Sequence, residues 1–184
     1  MMKRVIVAGV LGFIVLALWT FVVNGIFGLR HTLDMKQVTN ERQVYETLKI
    51  NVPAPGRYIC NPPITESGFV LNEPVFSVQY SGFGHEAAGR ESITNMLLGL
   101  LSTLLAAFLL SLSGDRIFRS YVRRLLYFSS LGLFVALASE MGNYGIGGYP
   151  LGDTVIMSVE TIVKWTIVGL VVAWWLKPVA QRAR

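Results

Sequence analysis

Four long apolar runs are separated by polar stretches, and their spacing sets out the chain. Val5 to Phe27, Ile93 to Leu112, about Leu125 to Glu140, and Val155 to Leu176 are the apolar runs. Most come close to the ~20 residues that a helix needs to cross a ~30 Å hydrocarbon core. Polar patterning within the runs is sparse and falls at helical spacing. In the second, Asn95, Gly99, Ser102 and Ala106 recur at i, i+4, i+7 and i+11. In the third, Ser129, Gly132, Ala136 and Ser139 form a similar small face at i, i+3, i+7 and i+10. Small or polar stripes of this kind belong at contacts between membrane helices, because they let backbones approach closely. Ala8 and Gly12 form a weaker small pair on the first run. Trp19 lies too deep for an interfacial position and is expected to pack against a neighbouring helix.

The polar stretch from Arg30 to Ser92 follows a different pattern. Asn40 to Ile50 reads as a short helix, with Asn40 at the N-cap, Gln43 at the capping-box position, and Val44, Tyr45 and Leu48 on one side. Pro53-Ala54-Pro55-Gly56 ends it. Arg57 to Cys60 and the alternating Val75 to Tyr80 are candidate strands. With Phe69 to Leu71 they could make a hairpin or a three-stranded sheet. A lone hairpin is marginal in water, so it must lean on the short helix or on a partner. The expected division is residues 1–29 as the first transmembrane helix, 30–92 as an extracytoplasmic helix plus a small β segment, and 93–184 as transmembrane helices two to four.

Composition confirms the class that the pattern implies. Hydrophobic residues are 53% of the 184 and charged residues 15%, with mean hydropathy +0.53. Soluble domains carry about 25% charge. The expected fold is an all-α transmembrane four-helix bundle with a small α+β segment between helices 1 and 2.

The net charge of +5 raises a nucleic-acid reading, which the placement of the basic residues excludes. Lys3 and Arg4; Arg116, Arg119, Arg123 and Arg124; and Lys177, Arg182 and Arg184 each abut an end of an apolar run. This is the positive-inside pattern, and it predicts four spans with both termini in the cytoplasm. In a bacterial cell the 30–92 segment would then be periplasmic, in the inner membrane. The first run is longer than the ~7–15-residue core of a secretory signal and no clear cleavage motif follows, so it is expected to remain as a helix. In the fourth run Asp153 or Thr154 is the expected N-cap, and Trp174, Trp175 and Lys177 mark the other edge.

The candidate chemistry is concentrated on the fourth run, which carries Glu160 and Lys164. With the acid four residues before the base they share a face. Lys164 lies about 13 Å along the axis from Val155 at 1.5 Å per residue. A charge at such depth costs about 2.5–3.5 kcal/mol on insertion scales, so the two must face protein or water. Glu140 is a further possible acid partner. One reading is a proton or ion step between spans three and four; the other is an ion pair that fixes helix register or meets a partner subunit. No chain of further carboxylates, no inverted repeat and no nucleophile signature accompanies them.

Other features point to little chemistry. The five glycines of residues 142–152 lack the G-K-[ST] of a phosphate loop. His31 and His85 lack metal-ligand spacing, and Cys60 stands alone. No cofactor and no metal are expected. A lipid-acting enzyme would have to use Glu91, Glu140 and Asp153 at the interface. The expected partners are the lipid bilayer and either other membrane subunits or further copies of the chain.

The stretches M-K-R-V-I-V-A-G-V-L-G-F, P-A-P-G-R-Y, E-P-V-F-S-V-Q-Y and W-x-I-V-G-L-V-V-A-W-W-L-K-P resemble a group of small four-span bacterial inner-membrane proteins of unknown function. The resemblance implies the four-span topology and carries over no activity. Together these readings make the chain a non-enzymatic membrane protein, an accessory, assembly or scaffolding subunit, with a small transporter or channel as the alternative.

Overall fold

A computed structural model describes residues 2–33, 36–61, 73–145 and 148–177. Four helices in it are long and apolar enough to cross a membrane. The first, α1 (Met2–Thr20), continues as a π-helical stretch over Phe21–Ile26. A five-residue α2 (Leu29–Leu33) follows. Then come α3 (Glu41–Asn51), β1 (Gly56–Cys60) and β2 (Phe76–Tyr80). The second long helix is α4 (Ala88–Leu112), the short α5 is Asp115–Phe118, and α6 (Tyr121–Val135) continues as a π-helical stretch over Ala136–Glu140. The last helix is α7 (Leu151–Trp175).

Several boundaries move from their expected places for local reasons. α4 begins at Ala88, five residues before the apolar run, because Arg90, Glu91 and Ser92 are compatible with helix outside the apolar zone. α7 begins at Leu151, so neither Asp153 nor Thr154 is its N-cap. Extended Pro150 takes that position, and the Thr154 hydroxyl donates back to the Pro150 carbonyl at 2.9 Å. Asn40 precedes α3 in the left-handed conformation (φ 58°) and makes no side-chain cap. Its carbonyl instead accepts from the Gln43 and Val44 amides. Asn tolerates that conformation because its short polar side chain can bond locally.

α1, α4, α6 and α7 run alternately up and down, but they form an open row in the order α4, α1, α7, α6 instead of a closed bundle. α1 packs on α4 and α7, and α7 packs on α6, while α4 and α6 barely touch. Close approach along this row uses glycine. A Cβ on Gly9 would come within 2.8 Å of the Leu104 Cα, and one on Gly12 within 2.9 Å of a Val172 methyl. On the other side of α7, a Cβ on Gly132 would meet that of Trp165 at 2.8 Å, and one on Gly169 that of Phe128 at 2.5 Å. The core lies toward the end that carries the N-terminus, where Ala8, Ala107, Leu110, Phe128, Val168 and Val172 are fully enclosed.

Lys3, Arg4, Arg116, Arg119, Arg123, Arg124 and Lys177 gather at this same end, called here the basic end. Arg124 is only 3% exposed. Its Nε donates to the Ala173 carbonyl at 3.0 Å, and its guanidinium also donates to the Phe118 carbonyl. It thereby satisfies a carbonyl in the last turn of α7, where a cation is favoured. Arg4 reaches the Trp175 carbonyl from α1 at 3.3 Å.

At the opposite end stand α3 and the hairpin. β1 and β2 pair antiparallel from Gly56↔Tyr80 to Cys60↔Phe76. Among the described residues the sheet has these two strands. Phe69 to Leu71, the third candidate strand, lies outside the described residues, as do Arg182 and Arg184.

Candidate functional site

The polar side chains of α7 are where the spans place their chemistry. At 1.5 Å per residue, Lys164 lies about 20 Å along a helix of about 36 Å, near its middle. Its Nζ donates to Glu160 Oε2 at 3.1 Å. Both side chains are about one-fifth exposed, 20% for Lys164 and 18% for Glu160. The other carboxylate oxygen, Oε1, accepts from Trp19 Nε1 of α1 at 3.0 Å. The indole thus ties α1 to α7 through the acid, which accounts for a tryptophan so far from either end of its span.

Glu140 does not join this pair directly. Its Oε1 accepts from the hydroxyl of buried Thr161 at 3.2 Å. Below it, Ser129 of α6 and Thr166 of α7 share a hydrogen bond of 2.9 Å. Trp19–Glu160, Glu140–Thr161 and Ser129–Thr166 therefore stitch α7 to both neighbours. Each bond is worth about 0.6 kcal/mol on average between membrane helices.

Glu160 and Glu140 meet across a small cavity, also lined by Asn24, Arg30, Leu33 and Met157. Its volume is about 10 Å³, room for about one water molecule. Asn24 lies in the π-helical stretch after α1, and Glu140 ends the one after α6. Stretches of this kind insert a residue into a helix and often mark functional positions. Here they turn one polar side chain from each neighbouring helix toward the cavity beside α7.

The expected helix-contact stripes divide. On α6, Gly132 and Ala136 are buried and Ser129 is half-buried against α7, while Ser139 is exposed. On α4, Gly99 faces Leu16 and Phe13 of α1. Asn95 and Ser102, however, are exposed, and the Ser102 hydroxyl is satisfied by its own helix at the Leu98 carbonyl. The buried line of α4 runs through Thr103, Ala106, Ala107 and Leu110. Packing turned toward the side of α4 where the Leu104 backbone meets Gly9 of α1, which periodicity within α4 could not reveal.

The acids considered for interfacial catalysis take separate partners. Asp153 pairs with Lys36 at 2.9 Å, Glu140 bonds Thr161, and Glu91 lines an outer groove with Phe83, Arg90 and Asn95. Among the described residues no three His, Cys, Asp or Glu side chains are placed to hold a metal. Cys60 is exposed at the end of β1.

A second concavity lies outside the spans, between α3 and β2. It measures about 340 Å³ and is walled by Tyr45, Leu48 and Val52 on one side and by Val78 and Tyr80 on the other. The amphipathic face of α3 and the alternation of β2 were both legible in the sequence. That the two stand apart was not. The chain matches no family model, no curated protein and no solved structure.

Proposed function

We propose that the chain is a non-enzymatic inner-membrane protein of bacterial type, with both termini in the cytoplasm, that works as an accessory, assembly or scaffolding subunit of a larger complex. The observation that carries this reading is the closure of its intramembrane charges on one another. Both oxygens of Glu160 are engaged, by Lys164 and by Trp19, and Glu140 is engaged by Thr161. The space beside them holds about one water. Such a cluster fixes the register of α1, α6 and α7, and offers neither a path nor a bed for substrate. The outward surfaces remain for partners. The basic end supports the cytoplasmic orientation of the termini, and the resemblance to small four-span membrane proteins accords with it.

Purification from native membranes in mild detergent tests the reading. A stoichiometric companion is the expected result, and a clean monomer with none contradicts it.

A small transporter or channel is the second reading, favoured by the two carboxylates that line one cavity at the π-helical stretches. It requires Glu160→Gln and Lys164→Met to abolish a flux in proteoliposomes. No flux in the wild type, or flux unchanged in the variants, removes it.

A further inference from the structure

The cleft between α3 and β2 has the form of a seat for an added strand. No residue of α3, β1 or β2 is buried. Tyr45 is 60% exposed and Tyr80 41%, and both line the cleft. Exposed apolar side chains facing lipid are ordinary, but a cluster of them on a segment outside the spans marks an interaction surface. The two walls do not close on each other, and about 340 Å³ lies between them.

The shape of the cleft identifies what fits. It is lined by three consecutive residues of β2, Val78, Gln79 and Tyr80, and by no residue of β1. Neighbouring strand residues point to opposite faces, so a cleft that touches all three runs along the strand's edge. That edge is the one turned away from β1, and among the described residues no strand pairs with it. Unpaired amides and carbonyls on an edge are a template for a further strand. A helix flanking such an edge supplies a side wall for every second side chain of the incoming strand.

Charge narrows the occupant further. Lys49 is the one charged residue on the cleft wall. It makes no ion pair among the described residues. The acids of α3, Glu41 and Glu46, line a separate groove with Asn40, Arg42 and Gln43. Among the described residues the cleft therefore presents an apolar wall, a backbone edge with no strand paired to it, and one positive charge.

We propose that this cleft binds an extended segment of a partner protein, which adds as a strand to this edge of β2 with its apolar side chains against Tyr45, Leu48 and Val52 and an acidic residue at Lys49. The proposal rests on the assembly reading and names how the partner is held.

The test uses the full chain in lipid nanodiscs, with a random nonapeptide library displayed on phage as the probe. Enriched peptides are expected to alternate apolar and polar residues and to carry an acidic residue. Methylating one alternate set of backbone amides in an enriched peptide should weaken binding about tenfold or more, because those donors face β2, and methylating the other set should leave it unchanged. Lys49→Met should weaken the acidic peptides by about three- to fivefold, as befits an exposed ion pair. Lys49→Glu, which leaves the apolar walls intact, should turn the selection toward basic peptides. No enrichment, peptides indifferent to backbone methylation, or displacement by a fatty acid but not by strand peptides would each overturn the proposal. If the library fails while a companion still co-purifies, only the cleft is wrong. If strand peptides bind but the native protein is a lone monomer, the assembly reading is the one that fails.

Discussion

The two ends of this molecule hold themselves together by different means. At the basic end, glycine removes side chains where helices cross, and Leu110, Phe128, Val168 and Val172 are fully enclosed. Toward the other end the row is joined by polar pairs, Trp19–Glu160 and Glu140–Thr161, around a cavity of about 10 Å³. Beyond it, no residue of α3 or the hairpin is buried, and only Leu48, Tyr58 and Val78 are half-buried. Lipid gives no hydrophobic drive for helices to associate, so contact distance decides the first region and hydrogen-bond partners decide the second. Close packing resists rearrangement, whereas unfilled polar and apolar surfaces leave room for a partner.

The sharpest way to break this contrast is to remove one charge. Lys164→Met leaves Glu160 without its cation; a broken buried pair costs about 3–5 kcal/mol in soluble proteins, and this one, about one-fifth exposed, should lie near the lower figure. The variant should unfold well before wild type in detergent melts. The double variant Glu160→Gln/Lys164→Met should recover much of the loss, since neither charge remains. Equal melting of all three would show that the pair is solvated and carries no packing role.

Overpacking at the basic end should cost slightly less. Gly169→Val or Gly9→Val is expected to lose about 1–3 kcal/mol, because in each case a neighbouring helix must give way. Gly89→Ala on α4, where nothing lies within 4 Å, should be neutral or gain up to about 1 kcal/mol of helix propensity. A melt that ranks Gly89→Ala below Gly169→Val would contradict the close contact along α6 and α7.

Arg124→Met removes charged hydrogen bonds to the Ala173 and Phe118 carbonyls, each kind worth about 1.5–3 kcal/mol. Part of this is restored by water at the membrane edge, so a loss near the lower figure is expected by denaturant titration. The smallest effect belongs to Lys36→Ala. Its pair with Asp153 has a lysine side chain 64% exposed, and surface pairs contribute about 0–1 kcal/mol. A shift in melting beyond that would place Lys36 in a tighter contact than its exposure implies.

How much of this was legible beforehand follows the same division. Apolar runs located the four helices long enough to cross a membrane, although the third run, Leu125 to Glu140, is shorter than the Tyr121–Asn143 helix that contains it. Glu160 and Lys164 stood out by their depth, and Trp19 by being too deep for an interface. The order of helices in the row was not legible. It depends on which small residues face each other, and Asn95 and Ser102 carried the same signal as Gly99 while pointing outward. The π-helical stretches left no mark in composition. Nor did the role of Arg124, which looks like any other arginine of its loop until α7 ends beside it. The cleft was half legible: its two walls could be read, but a gap is a property of two elements and belongs to neither.

The central claim is that the half-buried charges of α7 organise the helices and that the protein acts through another protein. Co-purification from native membranes, run on wild type and on Lys164→Met side by side, addresses both halves at once. The account predicts a stoichiometric companion with wild type and less of it with Lys164→Met, whose Glu160 has lost its cation. A wild-type protein that elutes as a clean monomer, with no companion, would contradict it.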